Sequence, residues 1–87
     1  AIINSGAIVE HHVTVGESAH IAPGAVVCGA SVVGSAAHIG AGATVVQGIT
    51  IGAGGIVGAG AVVLANVSAG DTVVGVPARV IATKGQS

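Results

Sequence analysis

Eighty-seven residues without a single Phe, Trp, Tyr or Met exclude an ordinary core of large side chains, although 52% of the sequence is apolar. Charge is scarce, with Glu10, Glu17 and Asp71 against Arg79 and Lys84, for a formal net charge of −1. That balance, with no aromatic stacking platform, excludes a nucleic-acid interface, and Gly or polar residues break every apolar run short of membrane-spanning length.

From the first residues onward the chain keeps a period of six. Ile3, Val9, Val15, Ile21, Val27, Val33, Ile39, Val45, Ile51, Val57 and Val63 are all Val or Ile. Two residues before each stands a mostly small residue, as in Ala7, Ala19, Ala25, Ser31, Ala37, Ala43 and Ala61. On a strand, residues i−2 and i share a face, so each small–aliphatic pair points inward. Period six gives no continuous stripe at 3.6 residues per turn, which argues against a helix. The prediction is a solenoid of short parallel strands, each coil stacked on the next at about 4.8 Å. Gly6, Gly24, Gly42, Gly48, Gly54 and Gly60 fall on multiples of six, where corners need unusual backbone angles.

The period covers residues 1–67 and breaks after Val63 at "LANVSAGDTVVGVPARVIA", which sets residues 68–82 apart from the repeat, ahead of a flexible tail over 83–87. The opening "AIINSG" falls in mid-pattern, so a preceding segment is expected. Cys28 is the one cysteine, which excludes an internal disulfide; together with the lack of a signal-peptide pattern it suggests a reducing, cytoplasmic location.

The hexapeptide lattice and the terminal "VVGVPARVI" resemble the hexapeptide-repeat acyltransferase family. That resemblance implies an all-β fold, a left-handed parallel β-helix of about four 18-residue coils with residues 68–82 as its C-terminal cap segment. Within the family, "NSGAIVEHH" followed by "HIAPGAVVCGA" is similar to the sialic acid O-acetyltransferases and bacillosamine-pathway sugar N-acetyltransferases. The implied activity is direct acetyl transfer from acetyl-CoA, as co-substrate, to a sugar nucleotide amine or a sialic acid hydroxyl. The implied assembly is a homotrimer with active sites between neighbouring prisms. Those relatives carry an additional N-terminal domain for the sugar nucleotide, which has no counterpart in these residues.

The same resemblance distributes roles. His11 aligns with the general base, a task suited to an imidazole titrating near neutrality. His20 aligns with a histidine that contacts acetyl-CoA from the adjacent subunit. Gly29 falls where a backbone N–H faces the thioester oxygen, and Ala41 and Ala59 where exposed coil amides line the CoA arm. Asn4 matches a position near the acceptor, and Glu10 and His12 flank the base on the substrate side. Relatives usually carry Asp or Glu directly after the base, whereas this chain has His12 there. Arg79 is placed to meet a CoA phosphate or to stand exposed in the cap.

Spacing adds its own constraint. His11 and His20 are nine residues apart, half of an 18-residue coil, so they fall on opposite sides of one prism and meet only between subunits. His20 and His38 are 18 apart and stack on one face. No H-x4-H pair exists, so no metal site is expected. "GAGGIVGAG" follows the six-residue lattice, which reads as corners and not as a dinucleotide loop. The competing function is a non-catalytic, self-associating solenoid, because an open coil end offers unpaired edges for end-to-end assembly. The threonines form no regular array, which argues against an ice-binding solenoid.

Overall fold

The computed structural model describes residues 1–83, so Lys84 to Ser87 of the expected tail lie outside the described residues. Among the described residues every regular element is a strand. The first coil holds β1 (Ile2–Ile3), β2 (Ile8–Val9) and β3 (Thr14–Val15), and the second β4 (His20–Ile21), β5 (Val26–Val27) and β6 (Val32–Val33). The third holds β7 (His38–Ile39), β8 (Thr44–Val45) and β9 (Thr50–Ile51), followed by β10 (Ile56–Val57) and β11 (Val62–Val63). The chain ends with β12 (Asp71–Val74) and β13 (Arg79–Thr83).

These strands form three parallel walls. The first runs β1-β4-β7-β10-β12, with β13 closing its end; the second is β2-β5-β8-β11 and the third is β3-β6-β9. Ile3 pairs with Ile21, Ile21 with Ile39 and Ile39 with Val57, a constant step of 18 residues. The expected parallel β-helix is therefore what forms, with one small–aliphatic pair per wall in each coil.

Side-chain alternation explains the core. Ile21, Val27, Val33, Ile39, Val45, Ile51 and Val57 have no solvent exposure, and neither do Ala19, Ala25, Ala37, Ala43 and Ala61 two residues before their aliphatics. A fully buried Val or Ile contributes about 1.5–3 kcal/mol relative to an exposed one, so stacked columns replace a conventional core. The first coil is less covered, and Ile2, Ile3 and Ile8 are each at least half exposed. Ser31 is the buried polar member of the inner columns; its hydroxyl donates to the Val46 carbonyl at 3.0 Å and accepts from the Ile49 N–H at 3.2 Å.

The corners adopt the left-handed conformation at multiples of six, with φ from 67° to 75° at the six glycines there. His12, Ser18, Ala30 and Ala36 occupy the same corner position with φ between 58° and 63°. A second kind of glycine follows the aliphatic residue. A Cβ on Gly34 would stand 2.6 Å from the Ala53 nitrogen and 2.8 Å from the Ile51 oxygen, so it is close coil-to-coil approach that requires glycine here.

The change of period after Val63 has a simple geometric form. Val67 bridges Ile51 and Val73 pairs with Val57, each at a step of 16 residues instead of 18. Two residues are lost from the coil, yet Val67 and Val73 still enter the buried core. The first wall thus extends past residue 67 through β12, and β13 folds back antiparallel on it.

Candidate functional site

The corner between β2 and β3 carries Glu10, His11 and His12. Directly above it, one and two coils on, lie Gly29 with Ala30 and then Gln47. Together these residues line an open groove of about 710 Å³. Backbone bonds hold the stack, with the Ala30 N–H donating to the His11 carbonyl at 3.4 Å and the Gly48 N–H to the Gly29 carbonyl at 3.0 Å.

His11 and His12 are both exposed, with ring centroids 6.3 Å apart. Among the described residues no side chain hydrogen-bonds to either imidazole. Glu10, the nearest carboxylate in sequence, turns elsewhere: its Oε1 accepts the Gly29 N–H at 2.8 Å. That bond occupies the amide expected to face a thioester oxygen. His12 holds the left-handed corner at φ 63°, so it is a corner residue as well as a groove residue.

A second cluster sits on the first wall. His20 pairs with His38 one coil on, and their half-buried rings tilt together with centroids 4.9 Å apart, as the 18-residue spacing predicts. Asn4 lies against this pair and not in the groove of His11. Its Nδ2 stands 2.7 Å from His20 Nε2 and donates to the Ile21 carbonyl at 3.2 Å. In a three-walled prism the corner between the second and third walls faces away from the first. Within one chain, His11 and His20 therefore belong to opposite sides.

The remaining positions are less populated with chemistry. Ala41 and Ala59 are exposed at corners; the Ala41 carbonyl accepts the Gly60 N–H at 2.9 Å. Arg79 is exposed on β13, opposite Val74. Cys28 is half-buried with a free thiol. Among the described residues no group of three His, Cys, Asp or Glu side chains is arranged to hold a metal ion. No helix there is long and apolar enough to cross a membrane. Gln47 is the polar groove residue that sequence reasoning missed. Its signal was present, since His11, Gly29 and Gln47 follow one another at the 18-residue step.

The fold and these two histidine clusters define a three-walled parallel β-solenoid whose polar side chains, Ser31 apart, lie outside the buried core among the described residues. No family model and no curated protein sequence matches this chain. Solved structures do. Perosamine N-acetyltransferase from Caulobacter crescentus, a mutant in complex with CoA and GDP-perosamine, is 27% identical with a TM-score of 0.75, covering 92% of this chain and 55% of its own. The acetyltransferase domain of PglB from Neisseria gonorrhoeae, in complex with acetyl coenzyme A, is 30% identical with a TM-score of 0.70, covering 92% and 51%. AntD, an N-acyltransferase from Bacillus cereus, is 20% identical with a TM-score of 0.77, covering 85% and 53%, and is evidence for the fold alone. These structures are hexapeptide-repeat acyltransferases, the family that the sequence motifs resemble. The chain spans about half the length of the structures it matches.

Proposed function

We propose that this chain is the β-helical part of an acetyl-CoA-dependent acetyltransferase that modifies a sugar nucleotide amine or a sialic acid hydroxyl. The observation that carries the reading is the groove in which His11 stands exposed beside Gly29 and Gln47, on a fold whose neighbours bind CoA and a sugar nucleotide. His11 acts as general base: it takes the proton from the acceptor amine or hydroxyl as that atom attacks the thioester carbonyl. The carbon–sulfur bond then breaks with its electron pair going to sulfur, the CoA thiolate takes the proton back from His11 and leaves as the thiol, and the acetyl group stays on the acceptor. No acyl-enzyme forms, because Cys28 has neither a helix N-terminus nor a basic neighbour in sequence to activate it.

His20 belongs to the CoA side, supplied by a neighbouring subunit of a homotrimer, since one prism keeps it away from His11. Ala41 and Ala59 offer corner backbone to the CoA arm, and Glu10 and His12 border the acceptor. The expected setting is the cytoplasm, where acetyl-CoA and sugar nucleotides are available.

The test is acetyl transfer from acetyl-CoA to GDP-perosamine and to free sialic acid, followed by release of the CoA thiol. His11→Ala is expected to lower turnover by about 10²–10⁴-fold, the usual worth of a general base. Equal turnover in both proteins removes His11 from the chemistry. Sedimentation of the active protein as a monomer removes the shared site.

A further inference from the structure

The contact between Asn4 and His20 fixes more than a position. Asn4 Nδ2 lies 3.2 Å from the Ile21 carbonyl oxygen, which can only accept, so the amide must present its NH2 group on this side. The reversed amide would set oxygen against oxygen. The same oxygen also accepts the Asn4 backbone N–H at 2.9 Å, which clamps the residue at both ends. The second proton of that NH2 group is then directed at His20 Nε2, 2.7 Å away. In the neutral ring Nε2 must be the lone-pair nitrogen, and the proton must sit on Nδ1.

We infer that Asn4 is a positioning residue that holds His20 in the Nδ1–H tautomer, so that the ring offers co-substrate a hydrogen-bond donor and not an acceptor. The inference rests on the reading of His20 as a contact of acetyl-CoA. The group it serves is an acceptor oxygen, either the thioester carbonyl or an amide carbonyl of the CoA arm. Packing supports the orientation: His38 stacks against His20 with centroids 4.9 Å apart, and both rings are half-buried. Asn4 thereby acts on the co-substrate side through His20, where alignment alone had assigned it to the acceptor.

The experiment compares wild type, Asn4→Ala and Asn4→Asp, labelled with 15N in the histidine rings. Spectra are taken at about pH 8.5, well above the ordinary imidazole range, with His20→Gln to assign the signals. Wild-type His20 is expected to show a protonated Nδ1 and an unprotonated Nε2. Asn4→Asp replaces the donor with an acceptor and should move the proton to Nε2; Asn4→Ala should release the ring from the Nδ1–H form. Acetyl-CoA titrations of the same proteins should show roughly tenfold weaker binding for Asn4→Asp, the scale of a single mismatched hydrogen bond.

A wild-type ring protonated on Nε2 overturns the inference. So does an Asn4→Asp protein that switches tautomer yet binds acetyl-CoA as tightly as wild type. A wild-type protein that binds no acetyl-CoA overturns the transferase reading, and with it the role of the tautomer in binding. The ring spectra still decide on their own whether Asn4 sets the tautomer.

Discussion

The Gly29 N–H donates to Glu10 Oε1 across 2.8 Å, joining one coil of the groove to the next through a carboxylate and a backbone amide. The amide is therefore in competition between Glu10 and any carbonyl oxygen entering the groove. Glu10→Ala leaves it free. The variant should fold normally, because Glu10 is exposed, and its KM for acetyl-CoA should fall about threefold, within the roughly 0.5–1.5 kcal/mol of one hydrogen bond. A rise in KM would show instead that the carboxylate organises the groove.

His12 stands at φ 63° in a corner where six equivalent positions hold glycine. A left-handed backbone costs an L-residue about 1–2 kcal/mol, which glycine avoids. His12→Gly is thus expected to raise stability by about 1 kcal/mol in chemical denaturation. No gain, or a loss, would mean that the His12 side chain makes a compensating contact in the assembled protein.

Ser31 replaces the alanine usual in the inner columns and bridges the Val46 carbonyl and the Ile49 N–H. Ser31→Ala leaves both groups without that partner inside the wall. The expected loss is about 1–3 kcal/mol, measured as a shift in the denaturant midpoint with unchanged slope. An unchanged midpoint would show that the two backbone groups find other partners.

The two kinds of glycine should separate cleanly on alanine substitution. Gly42→Ala meets nothing within 4 Å and only forces an alanine to φ 68°, a cost of about 1–2 kcal/mol. Gly34→Ala drives a methyl group to 2.6 Å from the Ala53 nitrogen, and the coils must part to admit it. That cost is expected to exceed about 3 kcal/mol, as overpacking against immovable backbone. Comparable thermal midpoints for the two variants would contradict this distinction.

Much of the solenoid was legible because its rule is local. A wall residue needs only to be small or β-branched on alternate positions, and Ile21, Ile39 and Val57 satisfy that rule wherever they fall in the coil. The stacking of His20 on His38 followed from the same arithmetic, and the line from His11 through Gly29 to Gln47 was available to it. The extra rung at β12 was not. Dropping two residues between Ile51 and Val67 preserves inward alternation while destroying the period, so the pattern vanished although the wall continued.

The candidate site divides along the same boundary. Sequence alone determined the six-residue lattice, which residues face inward, and that His20 and His38 stack, because each is a consequence of strand alternation and a constant coil length. Only the tertiary structure decided where the polar groups spend their hydrogen bonds: Glu10 on Gly29, and Asn4 on His20. Those partners lie 19 and 16 residues apart, off the 18-residue register, and are chosen by side-chain reach across neighbouring coils, which no periodicity encodes.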